Sequence, residues 1–372
     1  MKLTIERAAL LKGLAHIQSV VERRNTIPIL ANVLIDAGKD KVSLSATDMD
    51  LAIVESVAGQ VAKAGTVTVP AHTLYDIVRK LPDGSQIGFE TAGDKGQVTL
   101  RAGRSSFTLS ALPAEDFPKM SGGELPHKFE LAAGDLRNLI DRTRFAISLE
   151  ETRYYLNGIY IHATQSSGVK VLRAVATDGH RLARMEMPLP AGAENIPGVI
   201  LPRKTIMELR KLLDETQSAI QVALSDTRVR FAFDDAVLTS KLIDGTFPDY
   251  ERVIPTGNDK VLEVDCKTFA EAVDRVATIA TEKTRAVKLA VQRGQLTISA
   301  TSPDAGSAIE EIEARYTGTA IEIGFNARYL LDIAQQIEGD GARFTMADAA
   351  SPTVVQDAAD QSALYVLMPM RV

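Results

Sequence analysis

The sequence predicts an α+β fold made of three tandem copies of one domain, each with two helices and antiparallel sheets. A strand-like segment ending in Ala-Thr is written three times, in SATDMDLAI (45–53), VATDGHRLAR (175–184) and SATSPDAGSAIE (299–310). Aligning Thr47 with Thr177 and Thr301 gives offsets of 130 and 124 residues. Phe117 and Phe247, each followed by Pro, recur with the same offset of 130. A period of this length is a whole domain and is too long for a solenoid repeat.

Each copy opens with a short alternating strand that runs into an amphipathic helix. The three openings are LTIERAALLKGL (3–14), FELAAGDLRNLI (129–140) and LEVDCKTFAEAV (262–273). A second helix follows later in each copy, where apolar residues such as Leu74, Ile77, Val78 and Leu81 recur at helical spacing. We therefore predict six helices, at 6–24, 71–82, 133–148, 203–214, 266–285 and 326–338.

Strands fill the rest of each copy. Segments such as KVSLSATD, QLTISATS, FTLSAL, VLTSKL and SALYVLM come in runs without a helix between them, which favours antiparallel sheets. We expect about eight strands in each domain. The junctions SGGELPHK and PTGNDK have the Pro, Gly and polar content of linkers. They predict domains at 1–125, 126–255 and 256–372.

Composition narrows the class of protein. The 372 residues are 45% hydrophobic and 24% charged, with a net charge of −6, as in ordinary globular proteins. The single cysteine, Cys266, permits no disulfide within the chain and favours a reducing compartment. The N-terminus has no continuous apolar stretch of the signal-peptide kind. We expect a cytoplasmic protein.

Positive charge gathers on the predicted helices. They carry 18 basic and 12 acidic residues, a net charge of +6 that leaves −12 on the rest of the chain. Lys and Arg are good helix formers, but Glu is equally good and does not gather there. If the helices share one surface, that surface suits a polyanion held by its phosphates without sequence readout.

Signatures of enzymes are largely missing. The sequence has no phosphate-binding G-x-x-x-x-G-K-[ST] loop, no H-E-x-x-H and no G-x-S-x-G. Neither metal nor cofactor is expected, because the five histidines show no ligand spacing and Cys266 stands alone. Asp178 and His180 leave a hydrolase as the alternative function. Their counterparts in the first copy are Asp48 and Asp50, which favours a turn in which the Asp side chain caps its own backbone.

The C-terminal tail LYVLMPMRV remains apolar almost to its end. Tyr365 and Leu367 alternate as in a last strand, and Pro369 ends that strand because proline donates no backbone hydrogen bond. Met368 and Met370 are then left near the surface. Methionine is frequent at surfaces that bind several partners, so the tail predicts a groove for a short apolar peptide.

RYYLNG (153–158), TDGHRLA (177–183), FPDY (247–250) and the terminal MPMRV, within three repeats, closely resemble the bacterial DNA polymerase III beta subunit family, the sliding clamps of DNA replication. The resemblance covers the whole chain. It implies a non-catalytic processivity factor of the DNA polymerase complex, built as a head-to-tail homodimer with six clamp domains in a ring. Twelve helices about 10 Å wide would line a hole of roughly 28 Å, which admits duplex DNA with a layer of water. The implied partners are the replicative polymerase alpha subunit, the clamp loader and repair polymerases, bound through short peptide motifs.

The resemblance also implies site residues. The peptide groove would be formed by Leu156, Thr177, Gly179, His180, Arg181, Leu182, Pro248, Val253, Val366, Met368, Pro369, Met370 and Arg371. Ala350 and Pro352 stand where a larger aliphatic and a small polar residue are expected, which would alter peptide preference.

For DNA, the resemblance points to Arg24, Arg153, Tyr154, Tyr155, Arg203, Lys204 and Arg252. The acidic Glu150 and Glu151 precede Arg153 and would oppose close approach of DNA there. At the dimer interface, the strand near Phe107 would meet the helix near Ile279. A third hypothesis is a passive DNA-coating protein, whose binding to short linear duplex would depend steeply on salt.

Overall fold

The structure is a computed structural model that describes residues 1–23, 26–39, 41–91, 96–120, 123–280 and 285–371. These ranges contain six α-helices, and each one lies within, or within one residue of, a segment predicted as helix. The helices are α1 (Arg7–Ile17), α2 (Ala71–Lys80), α3 (Ala133–Asp141), α4 (Arg203–Leu213), α5 (Cys266–Ala277) and α6 (Ala327–Ala334).

Most helices end earlier than predicted, because their last turns tighten. After α5, the amide of Thr278 donates to the carbonyl of Arg275 at 3.2 Å, and Ile279 and Ala280 bond three residues back in the same way. Such i→i+3 bonds satisfy the last carbonyls without continuing the α-helix. The starts of α1, α5 and α6 are capped by side chains. Glu6 accepts from the amide of Ala8 at 2.8 Å, and Asp265 and Asn326 cap α5 and α6 in the same way.

Twenty-six strands make up the sheets within the described ranges. In chain order they are β1 (Lys2–Glu6), β2 (Asn32–Ala37), β3 (Val42–Thr47), β4 (Leu51–Val57), β5 (Gln60–Lys63), β6 (Gly65–Pro70), β7 (Gln86–Thr91), β8 (Gln97–Ala102), β9 (Ser105–Ser110), β10 (His127–Ala132), β11 (Gly158–Ser166), β12 (Val169–Thr177), β13 (Arg181–Pro188), β14 (Val199–Pro202), β15 (Ala219–Leu224), β16 (Arg228–Phe233), β17 (Ala236–Lys241), β18 (Lys260–Asp265), β19 (Ala286–Gln292), β20 (Gln295–Ser302), β21 (Gly306–Glu313), β22 (Arg315–Tyr316), β23 (Ile321–Asn326), β24 (Gly341–Met346), β25 (Thr353–Asp357) and β26 (Ala363–Leu367).

The first compact unit comprises Met1–Leu136, Pro190–Pro197 and Lys204–Leu242. It holds a five-stranded sheet in the order β5-β1-β7-β8-β9 and an eight-stranded sheet in the order β10-β15-β16-β17-β4-β3-β2-β6. Helices α1 and α2 pack against each other, and α1 lies on β3 and β4. Its apolar stripe, including Leu10, Leu14 and Ile17, is fully buried.

The second compact unit comprises Arg137–Leu189, Gly198–Arg203 and Ile243–Val372. It holds a nine-stranded sheet in the order β14-β11-β12-β13-β26-β25-β24-β18-β22 and a four-stranded sheet in the order β21-β20-β19-β23. Helices α5 and α6 pack against each other. Phe269 of α5 meets Phe344 of β24 at 5.1 Å between ring centroids.

The strand pairings within these sheets are antiparallel, as the runs of strands predicted. Two pairings cross the predicted domain boundaries. Strand β4 of the first repeat pairs with β17 of the second, with Leu51 opposite Ser240. Strand β13 of the second repeat pairs with β26 of the third, with Arg181 opposite Leu367. Neighbouring repeats therefore share continuous sheets. Among the helices described, none has the length and apolar character needed to span a bilayer.

Candidate functional site

The turn 177–181 joins β12 to β13 in the second unit, and its polar side chains hold its own backbone. The hydroxyl of Thr177 donates to the carbonyl of Arg181 at 2.7 Å and accepts from the amide of Gly179 at 3.1 Å. Asp178 Oδ1 accepts from the amides of His180 and Arg181 at 2.9 and 3.0 Å. In the part of the chain described, no hydrogen bond joins the Asp178 carboxylate to the His180 imidazole. The pair is a capped turn, as the repeat pattern favoured, and the hydrolase alternative has no acid–base contact to support it.

Beside this turn lies an apolar groove of about 270 Å³. Leu156, Leu182 and Val366 are buried at its floor and belong to one hydrophobic cluster with Phe247. Met368 lies at its edge with 37% of its surface exposed. The lining residues are Arg153, Tyr155, Leu156, Thr177, Gly179, Arg181, Leu182, Pro248, Val253, Val366 and Met368. The structure thus brings together nine of the thirteen residues that the family resemblance assigned to a groove.

The other four predicted groove residues do not line it. His180 is exposed, and its carbonyl accepts from the amide of Met368 at 3.0 Å. Met370 donates its amide to the carbonyl of Gly324 at 2.8 Å, which fastens the tail to β23. Pro369 is half-buried and Arg371 is exposed. As predicted, the tail forms a last strand, which ends at Leu367 before the proline.

Arg181 holds the groove turn in place through its guanidinium group. It donates to the carbonyl of Phe145 at 2.6 Å, to Asp178 Oδ2 at 3.1 Å and to Asp332 of α6. Its Cζ lies 4.3 Å from the ring centroid of Tyr329 and 5.1 Å from that of Phe145. The cation is 9% exposed and fully engaged. We conclude that Arg181 positions the wall of the groove and is not available to an anion.

Arg153 and Tyr155, which the family resemblance assigned to DNA, line the groove. Arg153 forms a two-pronged ion pair with Glu150, at 2.7 and 2.6 Å. The hydrogen bond from Arg153 lowers the pKa of the Glu150 carboxyl. The same guanidinium covers Gly179, where an added Cβ would lie 2.7 Å from Arg153 Nη1. The acidic residue before Arg153 was the signal in the sequence that this arginine is neutralised locally.

The remaining candidates for contact with DNA differ in their exposure and in their ion-pair partners. Tyr154 and Arg203 are exposed, and Arg252 is exposed but pairs with Asp249 at 2.7 Å. Lys204 donates to the carbonyl of Val20 at 3.2 Å and pairs with Glu22 and Asp48. Arg24 lies outside the described residues.

The basic excess of the helices persists in the structure. The six observed helices carry twelve basic and seven acidic residues, an excess of five positive charges. At least seven of the twelve form ion pairs with carboxylates of their own unit. A surface of partly neutralised cations binds phosphates weakly.

The two residues expected at a dimer interface belong to different units. Phe107 lies on β9, at the edge of the five-stranded sheet. Ile279 follows α5, which packs on β21, the edge of the four-stranded sheet. Ile309 on β21 is 71% exposed, and Glu310 pairs with Arg275 of α5. Unpaired edges of this kind are templates for another strand.

Two other candidate chemistries gain no support. Within the described ranges, no cluster of three or more His, Cys, Asp or Glu side chains could hold a metal ion. Cys266 is buried, and its thiol donates to the carbonyl of Ala334 at 3.6 Å. Burial raises the pKa of this thiol to about 11, which removes the thiolate needed for reactivity. Cys266 is structural, as predicted.

Comparison with known proteins assigns the family. The N-terminal, central and C-terminal domains of the DNA polymerase III beta subunit match residues 1–121, 130–249 and 251–371. The beta sliding clamps of Caulobacter vibrioides and Escherichia coli K12 are 56% and 40% identical over the full length of both chains.

Solved structures agree with that assignment. A Caulobacter crescentus beta sliding clamp, with PEG bound to a region assigned to beta-motif tethering, is 56% identical. It aligns with a TM-score of 0.98 over 100% of this chain and 99% of that one. A Bartonella birtlesii sliding clamp bound to griselimycin is 50% identical, with a TM-score of 0.97 over all of both chains. With three clamp domains in tandem, the chain belongs to the DNA polymerase III beta subunit family, the beta sliding clamps, which are non-catalytic processivity factors.

Proposed function

We propose that two copies of this chain close head to tail into a ring around duplex DNA and tether DNA polymerases through the groove beside turn 177–181. The observation that carries the proposal is the groove itself. Its floor of Leu156, Leu182 and Val366 is apolar, and Met368 at its rim is adaptable. Such a site fits a short apolar peptide with a few backbone hydrogen bonds. The partners would be the replicative polymerase alpha subunit, the clamp loader and repair polymerases.

The charge distribution supports encirclement over tight binding of DNA. The observed helices carry five excess positive charges on a chain of net −6. Each phosphate that a protein neutralises adds salt-dependent affinity, which would resist sliding. Cations already paired with carboxylates, such as Lys204 with Asp48, keep that affinity low. Among the candidates for facing DNA that the structure describes, Arg203, Tyr154 and Arg252 are exposed.

The edge strands support a closed dimer. Strand β9 near Phe107 and strand β21 beside α5 each present one unpaired edge. Pairing β9 of one copy with β21 of another would extend a sheet across the interface twice. It would also cover the exposed Ile309. We place the domain boundaries at 1–125, 126–255 and 256–372, and the protein in the cytoplasm, where DNA replication takes place in bacteria.

Two measurements test the ring. Mass in solution and electron micrographs should show a ring-shaped dimer, and an open monomer would contradict it. After loading on circular DNA, the protein should be retained at high salt and released when the DNA is linearised. Retention that ignores DNA topology would contradict encirclement. Steeply salt-dependent binding to short linear duplex would indicate a passive DNA-coating protein instead.

A double variant tests the groove. Replacing Met368 and Met370 by lysine should abolish binding of a peptide from the polymerase alpha subunit, because the charge at position 368 enters the apolar rim of the groove. The dimer should remain intact by mass, since neither residue lies on β9 or β21. Unchanged peptide affinity would remove the groove assignment.

A further inference from the structure

A buried arginine lies in the middle of the nine-stranded sheet. Arg173 on β12 is only 3% exposed. Its Nε donates to Glu186 Oε2 at 3.0 Å, and its Nη1 donates to both Tyr250 Oη and Glu251 Oε1 at 2.7 Å. A buried guanidinium without such partners would be costly. Arg173 therefore binds the chain at 250–251 firmly to the sheet.

The segment held by Arg173 supplies one side of the groove. Pro248 and Val253 line the groove, and Tyr250, between them, is buried in the hydrophobic cluster beneath it. Between β17 and β18 the chain forms only the short 3-10 helix Tyr250–Val253. No strand pairing sets the position of Pro248 and Val253, so their positions depend on the side chains that anchor this segment.

The Tyr250 hydroxyl also contacts a histidine, His162, and so links it to Arg173. Arg173 has only donors, so Tyr250 Oη accepts from it and keeps its own proton to donate to His162 Nε2, which lies 2.9 Å away. This donation requires a neutral His162 whose Nε2 carries no proton and acts as the acceptor. Burial lowers the pKa of His162, and the charge of Arg173 lowers it further.

Several groups face His162 from the surrounding elements. His162 lies opposite Arg173 in the β11–β12 register, and its ring stacks on Tyr160 at 4.7 Å. The titratable and charged groups around it are Tyr160 on β11, Arg173 on β12, Arg184 and Glu186 on β13, and Tyr250 and Glu251 on the anchored segment. Protonation of His162 would place a positive charge close to that of Arg173 and repel it. It would also remove the nitrogen that accepts the Tyr250 proton.

We propose that Arg173, acting through Tyr250 and neutral His162, is a positioning residue of the groove and makes peptide affinity sensitive to acid. This inference rests on the proposed peptide-binding role of the groove. Because the pKa of His162 is below its ordinary value of 6.5, the anchor is intact above pH 6.5 and is lost as pH falls through the lowered pKa.

The test measures binding of a fluorescein-labelled peptide from the polymerase alpha subunit to the full-length protein by fluorescence anisotropy. Tyr250→Phe deletes one oxygen and keeps the ring in the cluster, so the fold should persist. We expect the dissociation constant to rise about tenfold, as for loss of a hydrogen bond to a charged group. Wild-type affinity should fall between pH 6.5 and 5. His162→Gln, which retains an acceptor without titrating, should bind equally at both pH values.

Tyr316→Phe is the matched control. Tyr316 is also buried, and its hydroxyl donates to the carbonyl of Thr319 at 2.6 Å, at the edge strand β22 of the same sheet. It should lower thermal stability like Tyr250→Phe without changing peptide affinity. Wild-type affinity in Tyr250→Phe, an equal loss in Tyr316→Phe, or a flat wild-type profile from pH 6.5 to 5 would overturn the inference. Met368→Lys separates the two proposals: if it binds like wild type, the groove assignment itself has failed.

Discussion

Turn 177–181 of the second unit and turn 47–51 of the first have the same backbone and different surfaces. The hydroxyl of Thr47 donates to the carbonyl of Leu51 at 2.9 Å, and Asp48 Oδ1 accepts from the amides of Asp50 and Leu51. These bonds repeat those of Thr177 and Asp178 one for one. Lys241 also donates its amide to the carbonyl of Asp50 at 2.8 Å, as Met368 does to His180.

The difference lies in a few side chains. Gly179 has a φ of +89°, and Met49 at the matching position has a φ of +77°. In the second unit Gly179 has no side chain, so Arg153 packs on the turn and the groove beside it stays open. In the first unit the exposed side chain of Met49 stands there, and Lys241 pairs with Asp50 at 2.8 Å. The turn is thus a repeated structural device, and the residue at its third position distinguishes the second turn, with an open groove beside it, from the first turn, where Met49 is exposed.

The largest effect is expected when Gly179 of the second turn is replaced by methionine, the residue at the matching position 49 of the first turn. Gly179→Met places a Cβ 2.7 Å from Arg153 Nη1 and a side chain over the groove. A non-glycine residue at this φ also costs about 1–2 kcal/mol. Peptide affinity should fall by about a hundredfold or more, which corresponds to ~2.7 kcal/mol, as measured by calorimetry. The reverse change, Met49→Gly, should leave peptide affinity unchanged. Retained affinity in Gly179→Met would contradict the comparison.

A smaller effect is expected when the shared device itself is removed. Thr47→Val and Thr177→Val each delete a hydroxyl that bonds twice within its turn. Each should lower the free energy of unfolding by about 1–3 kcal/mol, because backbone groups lose a partner. Only Thr177→Val should also weaken peptide binding. If Thr47→Val weakened it equally, the two turns would not be functionally separate.

The two units should also differ in how pH acts on a buried histidine. Burial lowers the pKa of His16 in the first unit, but its contacts with Glu55 at 2.7 Å and Glu215 at 3.0 Å outweigh this and raise it. Its contribution to stability is therefore full below pH 6.5 and lost as pH rises through the raised pKa. The pKa of His162 in the second unit is shifted in the opposite direction, below 6.5. Nuclear magnetic resonance titration should place the two pKa values on opposite sides of 6.5, and values on the same side would contradict this.

The smallest effect is expected at Lys241. Its ion pair with Asp50 joins two exposed side chains, so Lys241→Met should change the free energy of unfolding by less than about 1 kcal/mol. It should also fail to create a second peptide site, because Met49 still occupies the place that Gly179 leaves open. Peptide stoichiometry should stay at one per chain. Two peptides per chain would show that the residue at position 241, matched with Met368, closes the first junction.

Repetition and periodicity made much of the fold predictable. All six helices and the capped turns follow from local patterns, because helical spacing and side-chain capping are local physics. The pairings of β4 with β17 and of β13 with β26 join strands that are far apart in the sequence, and no pattern in the sequence predicted them. Nine residues that the family resemblance placed in a peptide groove line one groove in the structure, while their binding of a peptide stays a prediction. The place of Arg153 beside the groove could not be predicted, because its contact with Gly179 appears only in three dimensions. The buried network of Arg173 left one signal, a single arginine within the apolar run VKVLRAVAT.

The two paired strands β4 and β17 are far apart in the sequence. Leu51 pairs with Ser240, which is synthesised about 190 residues later. At roughly 5–20 residues per second, the ribosome needs about 10–40 s to deliver that partner. During this interval the nascent chain presents β4 as an open edge with apolar Leu51 and Ile53, a surface that invites association with other chains. The shared sheet therefore leaves one edge of β4 without its partner strand until residue 240 has been synthesised.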